Sequence, residues 1–259
     1  MAQEVLLMEK DGGVCTLSIN RPERRNALSL ELLYRLGDAF NALKTDRDVR
    51  VVVLRGAGEK AFSSGMDLQD VDEVKVAEED NPINYAMQSV ISYPCPVIAM
   101  IYGAAMGAGC DLAVSCDLRV AADTAVMGIN PVRIGRVYPP AGVQRLINVV
   151  GLSQAKELFF TGRFIDAQRA KEIGLVDHVV VAEELPSFTY ALAREIADNA
   201  PLAVSTTKTI FTRLLKHQRL SPEDEDEILA LIDIVERSED AREGRLAFIE
   251  KRKPRFVGK

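Results

Sequence analysis

A chain of 259 residues, 47% hydrophobic and 27% charged, has the length and composition of a globular protein with a substantial core. Its net charge of −6 excludes a nucleic-acid binder held by bulk electrostatics, although local basic clusters can still grip phosphates. Residues 1–4 lack a basic segment leading into an apolar one, which predicts no secretory signal, and the longest nearly apolar stretch, residues 97–110, is too short and glycine-rich to span a bilayer. Cys15, Cys95, Cys110 and Cys116 show no metal-type spacing and neither histidine lies near one. Free thiols and a cytoplasmic location are the expectation, with no metal.

In chain order, residues 5–8 and 14–19 are β-type runs separated by Asp11-Gly12-Gly13, a hairpin signal. Arg21-Pro22-Glu23-Arg24-Arg25-Asn26 is a polar loop. Ser29 is placed to cap a helix whose Leu32, Leu36, Ala39, Phe40 and Leu43 share one face. Residues 49–54 read as a buried strand, residues 61–68 as a small-residue turn, and the charged stretch to Asp80 as a mobile flap. A helix over residues 82–93 stops at Pro94-Cys95-Pro96. Residues 97–102 then have the length of a buried strand, three glycines follow between 103 and 109, and a helix begins near Asp111. A strand, a glycine-lined turn and a helix N-terminus leave several backbone N–H groups unpartnered, a setting suited to an oxygen that becomes negative.

Short strands are expected at residues 118–121 and 125–127, and an irregular, proline-stiffened loop at 130–140. Helical patterns follow at 141–150, 153–160 and 166–173, and residues 176–181 return to strand. Beyond residue 183 the pattern is helical throughout: 184–199, 201–217, a helix opened by Ser221-Pro222-Glu223-Asp224, and a last one from Ser238 to about residue 251. Alternating strands and helices with an all-helical tail predict an α/β core over residues 1–199 and a helical region over 200–259.

Three blocks together resemble the crotonase (enoyl-CoA hydratase/isomerase) superfamily: Ala61-Phe62-Ser63-Ser64-Gly65-Met66-Asp67-Leu68; Pro96-Val97-Ile98-Ala99 through Cys110-Asp111-Leu112-Ala113; and Phe160-Thr161-Gly162-Arg163 with residues 170–176. Within it, the loop from Asn130 to Tyr138 and the ending from Ser238 to Pro254 are similar to the bacterial methylmalonyl-CoA decarboxylases. The resemblance implies a spiral of ββα units, a C-terminal helical region that assembles trimers or hexamers, and an acyl-CoA thioester as partner, with coenzyme A part of the substrate and no separate cofactor.

It also implies that the backbone N–H groups of Met66, after Ser64-Gly65, and of Ala108, between Gly107 and Gly109, hold a thioester oxygen as it becomes an enolate. Asp111 stands at the first of the two carboxylate positions a hydratase needs; the second is Pro131, which can neither donate nor accept a proton. That departure turns the reading from hydration to loss of CO₂ from a methylmalonyl-CoA-like thioester, with Tyr138 orienting the carboxylate or organising proton delivery and Asn130 near the acyl group. Arg24, Arg25 and Lys251 are the candidates for the phosphates of coenzyme A. Hydration, isomerisation or thioester hydrolysis is the alternative chemistry, and a non-catalytic acyl-CoA-binding protein the alternative of another class.

Overall fold

The hairpin at the start of the chain forms as its glycines require. In the computed structural model, β1 (Leu6–Asp11) and β2 (Val14–Ile19) pair antiparallel with Asp11 opposite Val14, and Gly12 turns the chain at φ +57°. The structure describes residues 4–67, 69–70, 81–216 and 222–255. The charged stretch to Asp80, Leu68, His217 and the cap Ser221 therefore lie outside the described residues, apart from Gln69 and Asp70.

Ser29 opens α1 (Leu30–Leu43) by accepting a hydrogen bond from the Leu32 N–H. Leu32, Leu36, Phe40 and Leu43 are buried along one face, at the helical spacing that their sequence positions dictate. The chain continues through β3 (Val51–Gly56), β4 (Ala61–Ser63), α2 (Pro82–Ile91), β5 (Val97–Ile101), β6 (Ala104–Met106) and α3 (Ala108–Ser115). Then come β7 (Leu118–Ala122), β8 (Val126–Gly128), α4 (Pro140–Thr161), β9 (Ile165–Asp166), α5 (Ala167–Glu172) and β10 (His178–Val180). Four helices finish the described chain: α6 (Leu185–Ala197), α7 (Pro201–Lys216), α8 (Pro222–Glu236) and α9 (Glu239–Ile249).

A six-stranded sheet runs β1-β2-β3-β5-β7-β10 and a four-stranded one β4-β6-β8-β9. From β2 onward the large sheet is parallel, which explains why β3 and β5 read as continuous apolar runs without alternation. Their side chains still alternate in space. Val52, Leu54, Val97, Ala99 and Ile101 belong to the core under α1 and α2, while Val51, Val53, Ile98 and Met100 face Leu185, Ala193 and Ala197 of α6. Full burial of each large aliphatic side chain contributes about 1.5–3 kcal/mol, so these two layers supply most of what holds the sheet.

A strand–strand–helix order recurs along the chain, in β3-β4-α2, β5-β6-α3 and β7-β8-α4. In each case the first strand joins the large sheet and the second the small one. Two expectations are corrected here. Residues 61–63 are strand β4 and not part of a turn, and the glycine turn after β5 contains strand β6, its parallel partner. Segments of three residues are too short for a period to show, and their pairing is set by residues more than forty positions away. Residues 141–150 and 153–160 are two helical stretches, as expected, numbered together here as α4 and separated at Gly151, which is non-helical at φ +73° and ψ 163°. Asp166 lies outside α5 as its cap, accepting from the Arg169 N–H at 2.8 Å.

The helices after residue 200 are tied to the core by specific contacts. Lys208 of α7 is buried and donates to Asp117 Oδ2 at 2.6 Å and to the Cys95 carbonyl at 3.0 Å. Gly244 of α9 lies against the Ile134 backbone so closely that a Cβ there would meet the Ile134 carbonyl carbon at 2.4 Å. Arg136 and Glu236 pair at 3.1 Å. The helical tail thus covers the loop that follows β8. All four cysteines are free, Cys95 only half-buried, and no helix among the described residues is long and apolar enough to cross a membrane.

Candidate active site

Two backbone turns meet at the C-terminal end of β4 and the N-terminus of α3. Leu28 N–H donates to the Gly65 carbonyl at 2.8 Å and Asp67 N–H to the Leu28 carbonyl at 2.9 Å. Ser64 N–H donates to the Arg25 carbonyl at 3.0 Å. These bonds fix the loop on both sides of Met66 and leave the Met66 N–H without an acceptor among the described residues. Ala108 is the first residue of α3, so its N–H has no partner inside the helix.

Glycine lets the turns touch. Gly65 sits at φ +97°, and a Cβ on it would lie 2.8 Å from the Met106 carbonyl oxygen and 3.6 Å from the Ala108 nitrogen. Gly107 has φ +51° with ψ −122°, a conformation that costs a side-chain-bearing residue heavily. Both donor residues line one cavity of about 670 Å³, together with Arg24, Ser64, Asn130 and Tyr138. The size suits a large part of a drug-sized ligand.

The loop beneath Met66 is braced by Arg21, which donates to Asp67 Oδ2 at 2.8 Å and to the Ala27 carbonyl at 2.6 Å. Burial pushes the Asp67 carboxyl up, but the Arg21 hydrogen bond and the Gln69 N–H outweigh it and hold the group below its ordinary range. Asp67 therefore stays ionised and paired.

Asp111 is buried on the first turn of α3, but local N–H groups do not satisfy its side chain. Arg145 of α4 does so: its Nε donates to Oδ1 at 2.8 Å and its Nη2 to Oδ2 at 2.7 Å, a bidentate clamp. Burial pulls the Arg145 guanidinium down, yet the facing Asp111 charge and its hydrogen bonds leave it above the ordinary value. In this structure Asp111, the expected catalytic carboxylate, is paired with Arg145. Both of its oxygens are engaged, and its charge is matched before any substrate arrives.

Tyr138 borders the same group. A Cβ on Gly142 would stand 2.7 Å from Tyr138 Cδ1 and 3.4 Å from Asp111 Oδ2, so Gly142 marks the point where the tyrosine and the ion pair converge. The Tyr138 ring lies 5.6 Å from that of Phe159. Burial pushes its phenol well above the ordinary value, and the Asp111 charge pushes it further. Tyr138 is therefore a neutral O–H donor. Asn130 precedes the turn Pro131–Ile134 and borders Gly107, with its Oδ1 3.3 Å from where a Cβ there would lie.

The candidates for phosphate binding separate. Arg24 is exposed and lines the main cavity, whereas Arg25, at φ +51°, lines a smaller cleft of about 340 Å³ with Pro22 and Lys60. Lys251 is exposed and lines neither.

Sequence reasoning missed Arg145, although it is the only charged residue between Arg136 and Lys156. A lone arginine in an apolar helix is a signal that it has a buried partner. It also missed Leu229 of α8 and Phe248 of α9, which line the cavity from the helical tail.

The enoyl-CoA hydratase/isomerase family model matches residues 9–259. Methylmalonyl-CoA decarboxylase of Escherichia coli is 34% identical over 248 residues, covering 95% of each chain. Mouse enoyl-CoA hydratase domain-containing protein 2 is 37% identical over 254 residues, 95% of this chain and 85% of that protein. Mouse methylglutaconyl-CoA hydratase is 35% identical over 259 residues, 97% of this chain and 82% of that protein. A crystal structure of methylmalonyl-CoA decarboxylase superposes with a TM-score of 0.92 at 33% identity over all of both chains. With the paired donors, the cavity and these relatives in view, the chain belongs to the enoyl-CoA hydratase/isomerase family, the crotonase superfamily.

Proposed function

We propose that the protein decarboxylates a methylmalonyl-CoA-like thioester through an enolate held by the N–H groups of Met66 and Ala108. One observation carries the reading: the two unpartnered donors face a cavity whose inner carboxylates, Asp67 and Asp111, are each engaged by an arginine, while Pro131 occupies the second carboxylate position. Adding water to a double bond needs a free carboxylate to take and return a proton. Losing CO₂ does not. The C–C bond electrons move into the thioester, its oxygen gains negative charge against the two donors, and the α-carbon is then protonated. Tyr138, its hydroxyl buried and neutral, supplies or relays that proton.

Arg24, Arg25 and Lys251 are proposed to meet the phosphates of coenzyme A. A ββα spiral with assembly into trimers or hexamers through the helical tail accompanies this reading. Phe211 and Leu214 of α7, each 62% exposed, support the assembly, as a face that water alone would not favour.

Incubation with malonyl-, methylmalonyl-, ethylmalonyl- and crotonyl-CoA, with products followed by mass, tests the proposal. CO₂ is expected from at least one malonyl-type thioester. Hydration of crotonyl-CoA with no CO₂ from any of the others would establish the hydratase alternative, and binding without turnover a non-catalytic role. Tyr138→Phe is expected to slow turnover by about 10- to 100-fold, with affinity weakened by no more than about tenfold; an unaltered rate would return Tyr138 to packing. The pH profile gives an independent check. A phenol raised well above 10.0 keeps its proton, so kcat should show no alkaline limb below about pH 10. A limb near pH 8 would contradict a neutral Tyr138 with a buried hydroxyl.

A further inference from the structure

The clamp on Asp111 uses Nε and Nη2 of Arg145 and leaves one end of the guanidinium over. Arg145 Nη1 is buried and has no partner among the described residues, and the same is true of the Tyr138 hydroxyl. Both residues line the cavity that holds the Met66 and Ala108 donors. A buried donor without an acceptor is costly, and here two such donors belong to side chains that border one ion pair and line one cavity. An acyl group ending in hydrocarbon leaves both unpaired. An acyl group bearing a carboxylate offers two oxygens to them.

We propose that Arg145 is the residue that selects acyl groups bearing a carboxylate, its Nη1 and the Tyr138 hydroxyl together receiving the acid. This deepens the decarboxylase reading and rests on it for the position of the acid next to the thioester. Asp111 gains a role from the same geometry. It neutralises Arg145, so the incoming carboxylate meets a hydrogen-bond donor without a free cation behind it. A full ion pair would stabilise the carboxylate of the bound reactant more than the departing CO₂, and such ground-state stabilisation raises the barrier. Matching the charge beforehand lets the site recognise the acid without holding it back.

The test uses CoA thioethers, which cannot react, in calorimetric titrations. 2-Carboxypropyl-CoA is compared with isobutyl-CoA, in which a methyl group replaces the carboxylate. The protein is expected to bind the acid at least about tenfold more tightly than the isobutyl thioether. Arg145→Lys keeps the charge and a contact to Asp111 but removes the fork, and should bring the two affinities within about twofold. The Asp111→Asn/Arg145→Gln double variant leaves the net charge unchanged and should do the same. No preference in the native protein, or a preference intact in Arg145→Lys, would overturn the proposal. Because the probes are inert, a retained acid preference with no CO₂ from any malonyl thioester would remove the decarboxylase reading and leave Arg145 as the selector of another acid-bearing acyl-CoA.

Discussion

Gly109→Ala is expected to lower kcat for the proposed decarboxylation by about 10²–10³-fold, with KM changed far less. The start of α3 is pressed against the end of β4: a Cβ on Gly109 would meet the Ser63 carbonyl oxygen at 2.6 Å, its Cβ at 2.7 Å and its Oγ at 2.8 Å. None of these can yield freely, since Ser63 lies inside the small sheet and its Oγ accepts from the Gly65 N–H at 3.2 Å. The helix has to back away, and the Ala108 N–H moves with it, off the oxygen it is proposed to share with Met66. Loss of a single donor of this kind costs about 10²–10³ in rate, because it acts on charge that exists only in the transition state. Steady-state kinetics beside a thermal melt measures it. A variant that folds as the native chain and turns over at the native rate would show that the paired N–H groups do not hold the enolate.

Arg145→Met destabilises the protein by about 3–5 kcal/mol, the typical cost of stranding one member of a buried ion pair. Asp111 is 3% exposed and both its oxygens are bound by this one guanidinium, so its charge would have no other counterpart. Adding Asp111→Asn removes the stranded charge and should recover most of the loss, since replacing both partners is far cheaper than removing one. Urea unfolding of the two variants at one protein concentration separates the outcomes. A single variant as stable as the native chain would mean that water reaches Asp111 and that the clamp is a surface pair.

Much of the local structure around this site is legible in the sequence. The branched run of β5, the glycines after it and an acid on the first turn of α3 follow from propensity and local geometry. Those rules act over a few residues and need no partner. The Ser29 cap and the buried face of α1 were readable for the same reason. Strands β4 and β6 were not, because three residues carry no period and their pairing joins Ala61 to Ala104. The fate of Asp111 was hidden in a different way. Its sequence position gives it a helix terminus, but the guanidinium that neutralises it arrives on α4 from thirty-four residues away. Pro131 could be recognised as unable to act as an acid from its identity alone, whereas the pairing of Asp111 with Arg145 needed the fold. The cavity wall supplied by Leu229 and Phe248 was likewise invisible, since an amphipathic helix declares that it has an apolar face and not what that face covers.

The most direct measurement follows methylmalonyl-CoA labelled with ¹³C in its free carboxyl group as it reacts in D₂O. The account predicts that the label leaves as CO₂ and that the propionyl-CoA product gains one deuterium at the α-carbon, the mark of an enolate protonated after C–C cleavage. Label retained in the thioester, with crotonyl-CoA hydrated by the same preparation, would contradict it.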